Sequence, residues 1–202
     1  MKRKPNIINI GRQFGSGGLG VANELGRMLG IPVYNNQLIS KAAEESGFSE
    51  QFFASKDEKR SLFNIASFFS AGRYTMSDNY LSENELFRIQ GEVITKLASE
   101  GPAIFVGRCS DYILREREDT LDVFVCAPLQ DRIDRVSERE GISPQEAADI
   151  IRRSDRTRET YYNYFTFGNW GVASNYDLCI DSSILGIEGT AAFLSDYIRR
   201  MA

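Results

Sequence analysis

A run of glycines between a predicted strand and a predicted helix constrains this chain more than any other feature. The segment reads Gly11-Arg-Gln-Phe-Gly-Ser-Gly-Gly18. It follows the β-branched run 6–10 and precedes residues 21–29, in which apolar side chains recur at helical spacing. Glycine lets the backbone turn its N–H groups inward, and with the helix N-terminus behind it such a loop forms an anion-binding nest. The segment predicts a phosphate-binding loop, although a tight strand-to-helix turn without a ligand would show the same pattern.

The rest of the chain alternates between strand and helix patterns. Strands are predicted at 103–106, 121–127 and 176–181, and helices at 38–46, 50–59, 83–100, 129–140, from 143 through the Arg152 region, and 184–200. Residues 62–81 are aromatic but show no clean period, which fits an irregular lobe or a mobile loop. The alternation predicts one α/β domain over residues 1–202, a sandwich of helices around a central parallel sheet. Ligands are then expected at the carboxyl ends of the strands.

Composition removes several classes of function. The chain contains no histidine, which excludes histidine general bases, histidine zinc sites and Ser-His-Asp triads. A net charge of -4 gives no reason to expect nucleic-acid binding. The three cysteines lack metal-ligand spacing and indicate a reducing compartment. No signal peptide and no apolar window of roughly 20 residues is visible, so we expect a soluble, cytoplasmic protein that does not bind membranes.

Arginines are concentrated in the second half of the chain. Arg132, Arg135 and Arg139 share one face of a predicted helix, by their spacing of three and four residues. Segment 152–158 holds four arginines and one acid, which repel one another unless an anion joins them. Phosphoryl transfer needs such charges to neutralise the transferring group. Solvated helix surfaces with Glu–Arg pairs remain the alternative, especially for segment 132–139.

Other polar and aromatic residues fall next to the predicted strands. Arg108 follows strand 103–106, where it meets either an anion, a base edge or an ion-pair partner such as Asp111. Asp122 and Asp181 border strands and either support a metal ligand or simply end the strand. The aromatic run 161–170 packs a lid, forms an oligomer contact or stacks on bases.

These segments together resemble the cytidylate kinase-like proteins, a branch of the nucleoside monophosphate kinases. The matching segments, in order, are Ile10-Gly-Arg-Gln-Phe-Gly-Ser-Gly-Gly18, Phe105-Val-Gly-Arg108, Val123-Phe-Val-Cys-Ala127 with Arg132 and Arg135, Asp155-Arg-Thr-Arg158 with Tyr161-Tyr162, and Tyr176-Asp-Leu-Cys-Ile-Asp181. The resemblance implies a P-loop kinase core with an acceptor-binding helical lobe at about 35–82 and a lid at about 141–170. It also implies transfer of the γ-phosphate of ATP to a nucleoside monophosphate such as CMP, or to a related small acceptor, with Mg²⁺ and with no residue of this chain assigned to the metal.

The resemblance also implies roles for individual residues. Donor phosphates would be cradled by Gly15, Ser16, Gly17, Gly18 and Leu19, with Arg132 on the donor side. Lid arginines on the transferring phosphate would be Arg152 or Arg153. Acceptor contacts would come from Arg108 on the base side and from Asp155 and Arg158 on ribose and phosphate.

The chain departs from the family pattern in two places. The lysine and the Ser or Thr that end a usual P-loop are replaced by Gly18 and Leu19, so the catalytic charge is expected to come from Arg12 and from the lid arginines Arg152, Arg153 and Arg158. The arginine that holds the acceptor phosphate in cytidylate kinases is also missing, and Lys41 is the nearest cation. A kinase therefore competes with a second hypothesis, a non-catalytic nucleotide-binding or regulatory protein. The acceptor and the oligomeric state stay open.

Overall fold

The structure is a computed structural model that describes residues 4–39 and 83–201. Lys41, segment 62–81 and almost all of the two helices predicted between 38 and 59 lie outside the described residues. The chain forms two compact units: Met1–Val33 together with Pro102–Ala202, and Tyr34–Gly101. The proposed acceptor lobe falls in the second unit, and its role stays a prediction.

A five-stranded sheet forms the centre of the fold. Its strands are β1 (Ile7–Arg12), β2 (Val33–Tyr34), β3 (Ala103–Val106), β4 (Thr120–Cys126) and β5 (Leu178–Asp181). They lie in the order β2-β3-β1-β4-β5, and the pairs β1–β3, β1–β4 and β4–β5 are parallel. The predicted α/β architecture with a central parallel sheet is confirmed. Because Ile10 pairs with Val106 and Arg12 with Val125, the carboxyl ends of the three central strands lie side by side.

One face of the sheet packs against two helices of the first unit. Ile8 and Ile10 of β1 are fully buried and belong to one apolar cluster with Val21, Leu25 and Leu194. Val21 and Leu25 come from the first helix and Leu194 from the last. The first strand is therefore held at the middle of the sheet by side chains from the first and the last helix. This packing fixes where the glycine loop begins.

The helices are α1 (Gly18–Leu29), α2 (Glu83–Glu100), α3 (Ser110–Ile113), α4 (Leu129–Glu140), α5 (Pro144–Thr166) and α6 (Ser182–Arg200), with a short 3-10 turn at Ala173–Asn175. The predicted capping box is present: the Ser143 side chain accepts from the Glu146 amide, and Glu146 accepts from the Ser143 amide. No helix in the described ranges is long and apolar enough to cross a bilayer.

Several element boundaries differ from those predicted. Helix α1 begins at Gly18 rather than at residue 21, because the glycines adopt the first helical turn although their intrinsic helix propensity is low. Helix α5 continues to Thr166 through the aromatic run, and α6 begins at Ser182 and is interrupted at Gly186. Strand β5 starts at Leu178. Strand β2 and helix α3 were not predicted, since each is too short to show a period.

In the second unit, the described residues are 34–39 and 83–101. The Asn35 side chain accepts a hydrogen bond from the Leu38 amide at 3.0 Å and begins a helical turn at 36–39. Helix α2 buries Leu86, Ile89 and Val93 on one face, which is the amphipathic helix predicted over 83–100.

Candidate functional site

The glycine loop connects β1 to α1 with the backbone of an anion-binding nest. Gly15 and Gly17 have φ values of 79° and 77°, in the left-handed region that only glycine adopts at low cost. Gly17 is the N-cap of α1 and has no side chain to pair with the first amides of the helix. Those first-turn N–H groups have no partner within the helix and carry its partial positive charge. The loop therefore presents backbone donors in the arrangement that suits an anion.

The carbonyl oxygens of the same loop are held by side chains from other elements. Arg132 donates to the Phe14 carbonyl at 3.3 Å and Arg135 to the Gly15 carbonyl at 2.7 Å. Ser182, at the start of α6, donates to the Ser16 carbonyl. The C=O of one residue and the N–H of the next point in opposite directions in a trans peptide unit. Fixing these carbonyls therefore turns the following amides away from α4 and α6.

Arg12, the last residue of β1, occupies the space beside two glycines. A Cβ atom on Gly18 would lie 2.6 Å from the Arg12 Cβ, and a Cβ on Gly107 would lie 1.9 Å from the Arg12 Nη1. The Arg12 side chain thus runs from the start of α1 to the end of β3. A lysine at position 18 does not fit while Arg12 has this conformation, because its Cβ would collide with the Arg12 Cβ.

The charges of three arginines converge around this path. Burial lowers the pKa of Arg12 well below its ordinary value, and repulsion from Arg158 and Arg108 lowers it further. Burial also lowers the pKa of Arg158, Asp155 opposes this shift, and repulsion from Arg108 and Arg139 adds to it. Within the described residues no ion pair to Arg12 offsets the repulsion. An anion bound among these guanidinium groups would relieve it.

The backbone after β3 is strained where it carries Arg108. Gly107, Arg108 and Cys109 have φ values of 73°, 62° and 55° in succession. The left-handed conformation costs a non-glycine residue about 1–3 kcal/mol, and such strain is characteristic of functional sites. The Arg108 guanidinium lies over the Tyr161 ring, 5.6 Å from its centre. At least one member of the aromatic run 161–170 therefore packs against a candidate site residue.

Asp111, a half-buried acid in the first turn of α3, follows Arg108 closely in the chain. Asp111 accepts a hydrogen bond from the Tyr162 hydroxyl at 2.7 Å. Burial raises the pKa of Asp111, and the bond from Tyr162 moderates the rise. Burial and the Asp111 charge raise the pKa of Tyr162 in turn. The contact joins the second half of α5 to the residues that follow β3.

Asp155 and Arg158 contact the glycine loop rather than open solvent. The Asp155 carboxylate accepts from the Phe14 amide at 2.7 Å and from Arg132 Nη1 at 2.5 Å. Arg158 donates to the Arg12 carbonyl at 2.9 Å. By contrast, Arg152 and Arg153 are exposed on α5, and Arg152 pairs with Asp149 on the same helix. The structure thus gathers part of the arginine segment at the loop and leaves Arg152 and Arg153 outside it.

Two further candidates are separate from the arginine cluster. Leu19 is 43% exposed in the first turn of α1, where its backbone, not its side chain, belongs to the nest. Lys41 lies outside the described residues.

Asp122 and Asp181 have structural partners. Asp122 accepts from Asn9 at 2.7 Å, and Asp181 accepts from the amide and the hydroxyl of Ser183 as the N-cap of α6. Over residues 4–39 and 83–201 there is no group of three acidic or cysteine side chains that could hold a metal ion.

Three residues that hold the glycine loop and Arg12 in place were not identified from the sequence. Gly107 makes room for Arg12, Ser182 fixes a loop carbonyl, and Phe14 packs on a small apolar cluster formed by Val136, Ala147 and Ile151. The only local signal was the aromatic residue inside a glycine loop, which has no reason to lie there unless it is packed.

Known proteins resemble this chain in sequence and in fold. The chain is 28% identical over 197 residues to a cytidylate kinase of Methanopyrus kandleri, covering 93% of this chain and 90% of that protein. It is 28% identical over 196 residues to a cytidylate kinase of Thermococcus sibiricus, covering 96% and 88%. Among solved structures, an uncharacterised protein from Eubacterium ventriosum matches with a TM-score of 0.73 and 25% identity, over 96% of this chain and 98% of that one.

The fold itself is shared more widely. Shikimate kinase from Bacteroides thetaiotaomicron matches with a TM-score of 0.54 at 12% identity, covering 96% of this chain and 98% of the other, which confirms the predicted P-loop kinase-like fold. The model of the cytidylate kinase-like family matches residues 7–184, from the first residue of β1 into α6. The chain therefore belongs to the cytidylate kinase-like family.

Proposed function

We propose that this protein transfers the γ-phosphate of ATP to a nucleoside monophosphate, CMP-like, or to a related small acceptor. The observation that carries the proposal is the Arg12 side chain, which lies between Gly18 and Gly107 and is repelled by Arg108 and Arg158. It supplies a cation at the loop from which the usual lysine is missing. Family membership and the cytidylate kinases among the relatives support the same activity.

In this proposal the amides of the loop hold the donor phosphates. Gly15, Gly17 and Gly18 provide N–H groups, and Ser16 and Leu19 contribute backbone at the start of α1. Catalysis of phosphoryl transfer is mainly positioning and neutralisation of charge. The bond between the γ-phosphorus and the β,γ-bridging oxygen breaks as an acceptor phosphate oxygen bonds to the γ-phosphorus. Magnesium enters with ATP as part of the substrate.

The arginines divide between the two phosphate groups and the acceptor base. Arg12 lies beside Gly18 at the start of α1 and would neutralise charge that develops between donor and acceptor. Arg158, on α5, would hold the acceptor phosphate, and Arg108, on the strained turn after β3, would contact the acceptor on its base side. Burial and the repulsion between arginines lower the pKa of Arg12 and of Arg158. Negatively charged substrates would relieve this repulsion when they bind, which favours the complex.

Arg152, Arg153 and Lys41 keep their proposed roles as additional contacts. The first two lie on the same helix as Arg158 and carry charge on its exposed side. They would assist the transferring phosphate or its release. Their removal should therefore affect turnover less than removal of Arg12.

A coupled assay of ADP release with CMP, UMP, AMP and dCMP tests the proposal. We expect turnover with at least one acceptor, and a loss of about 10²–10³-fold in kcat for Arg12→Ala, the size seen when one group stabilising developing charge is removed. Arg200→Ala is the matched control, because Arg200 pairs only with Asp196 on an exposed stretch of α6. Absence of turnover with every acceptor, at enzyme concentrations that reveal slow rates, would contradict the proposal.

The second candidate is a non-catalytic nucleotide-binding or regulatory protein on the same fold. The observation that favours it is Gly18 itself, which leaves the nest without the usual lysine. ATP should then raise the melting temperature, because a ligand that binds only the native state stabilises it, while no acceptor is phosphorylated. Melting that is unchanged by every nucleotide would exclude this version.

A further inference from the structure

The glycine loop is anchored to the α4–α5 helix pair by its aromatic residue. Phe14 packs against the cluster formed by Val136 of α4 and by Ala147 and Ile151 of α5, all three of which are buried. Arg139 and Arg158 lie over the Phe14 ring at 5.4 Å and 5.3 Å. The Phe14 ring thus completes the small core between α4 and α5. The glycine loop is therefore fixed to this helix pair as long as Phe14 stays in the cluster.

Asp155 makes the polar half of the same attachment. One carboxylate oxygen accepts from the Phe14 amide at 2.7 Å, and the other accepts from Arg132 Nη1 at 2.5 Å. The Arg132 side chain is 10% exposed and that of Asp155 is 19% exposed, so water screens the pair weakly. Both oxygens therefore have partners in the protein, one on the loop and one on α4.

Arg132 also fixes the orientation of the next peptide unit of the loop. Its Nη1 also donates to the Phe14 carbonyl at 3.3 Å. Because the Phe14 carbonyl and the Gly15 amide belong to one trans peptide unit, holding the carbonyl toward Arg132 directs the Gly15 N–H to the opposite side. Arg135 repeats the arrangement one residue later through the Gly15 carbonyl.

We propose that Asp155 is a positioning residue that orients the glycine loop for the donor phosphates, and that it does not contact the acceptor. It acts on the loop directly at the Phe14 amide and indirectly through Arg132. This inference rests on the proposed function, since it assigns the loop to ATP. It differs from the acceptor-side role that the family resemblance implies for Asp155.

Steady-state kinetics with both substrates varied separates the two roles. We expect Asp155→Asn to raise the KM for ATP roughly tenfold, as expected for loss of a charge-assisted hydrogen bond, with the KM for the acceptor within about twofold of wild type. Asparagine keeps the shape of the side chain, but its NH₂ group must face either Arg132 or the Phe14 amide. Both of these groups are hydrogen-bond donors, so one of the two contacts is lost. Asp196→Asn, at an exposed ion pair of α6, is the matched control.

The reverse pattern overturns the inference. A raised KM for the acceptor with an unchanged KM for ATP would place Asp155 at the acceptor. Unchanged values for both substrates, or an equal rise in both, would show that Asp155 does not act on the loop. The Asp155→Asn and Arg132→Gln changes should also be non-additive, because each breaks the same connection. Additive effects would count against it.

Amide hydrogen exchange makes the result independent of turnover. The Phe14 amide should exchange slowly in the wild type and at least about tenfold faster in Asp155→Ala, because its acceptor is removed. If the wild type neither binds ATP nor phosphorylates any acceptor, the proposed function fails, and exchange at Phe14 alone decides the contact. Equal exchange in both proteins would overturn it. Should Asp155→Ala fail to fold, the comparison is made with Asp155→Asn.

Discussion

The mutual exclusion of Arg12 and a side chain at position 18 can be tested by stability measurements. In Gly18→Ala the new Cβ would lie 2.6 Å from the Arg12 Cβ, 3.1 Å from the Arg12 Cγ and 3.4 Å from the Val125 Cβ. The first of these atoms is fixed to the backbone of β1, so it cannot swing aside. Arg12 or the start of α1 must shift.

The magnitude follows from two opposing contributions. Replacing a helical glycine by alanine ordinarily stabilises by about 0.5–1 kcal/mol. Forcing an extra carbon into packed surroundings costs about 1–3 kcal/mol. For Gly18→Ala the second effect is larger, because the contact is with a Cβ, and we expect a net loss of about 1–2 kcal/mol. In a chain of this size each kcal/mol lowers the melting temperature by about 2–4 °C.

A double-mutant cycle isolates the contact with Arg12. In the Arg12→Gly background the clashing Cβ is absent, so adding Gly18→Ala should be neutral or stabilising by up to about 1 kcal/mol, which gives a coupling energy of about 1–3 kcal/mol. Gly20→Ala is the matched control in the same helix turn, because its Cβ would meet only the movable ends of Ile187 at 3.1 Å. Urea unfolding of the four cycle members and the control supplies the values.

One result would refute the reasoning. If Gly18→Ala changes stability equally with and without Arg12, the Arg12 side chain does not occupy the space beside Gly18. The explanation for the missing lysine would then be wrong, and with it the main support for Arg12 as the cation of the loop.

Other contacts give predictions for the stability of the same unit, each measured by urea unfolding. Tyr162→Phe removes the bond to Asp111 and should destabilise by about 1–3 kcal/mol at neutral pH, whereas Tyr164→Phe, at an exposed ring, should not. Since the pKa of Asp111 is raised in the folded protein, the contribution of Asp111 to stability is present at low pH and lost as the pH rises through that pKa. Tyr162→Phe removes a hydrogen bond to the carboxylate and raises the pKa of Asp111 further, so the destabilisation caused by Tyr162→Phe should shrink in mild acid. A destabilisation that does not depend on pH would contradict this. Phe14→Ala should destabilise by about 1–3 kcal/mol, because the ring is partly buried on the α4–α5 cluster, and should weaken ATP binding as well; unchanged stability would argue against the anchor. Ser143→Ala should cost about 1 kcal/mol through loss of the capping box at α5, and a neutral effect would show that this helix end does not depend on the cap.

The sequence predicts most of the fold because the signals are local. The strands around Ile8 and Ile104 are apolar and β-branched, and the helix ends carry glycine or a capping box, so periodicity locates them without knowledge of contacts. Local signals fail where contacts decide. Helix α5 extends to Thr166 because Phe165 is buried and Tyr162 bonds to Asp111, and neither partner can be seen in the helix's own sequence.

The candidate site is less predictable for the same reason. The hypothesis that Arg12 replaces the lysine follows from the sequence only by elimination. The space for its side chain comes from Gly107, about ninety positions away in the chain, and no spacing rule connects the two residues. The sequence assigned Asp155 and Arg132 to opposite sides of the active site, and the structure joins them in one ion pair on the loop.

These contacts explain why the loss of the lysine need not mean the loss of charge. A lysine at position 18 would place a flexible cation at the first turn of α1. Arg12 instead extends a planar guanidinium group from the end of β1, beside Gly18. Its position requires two residues without side chains, Gly18 and Gly107, and each is present. Because a Cβ on either glycine would collide with Arg12, the three positions form one unit, in which replacing any single member is unfavourable. In the proposed function, the position of the catalytic charge therefore depends on packing at the ends of β1 and β3 and not on the loop sequence alone.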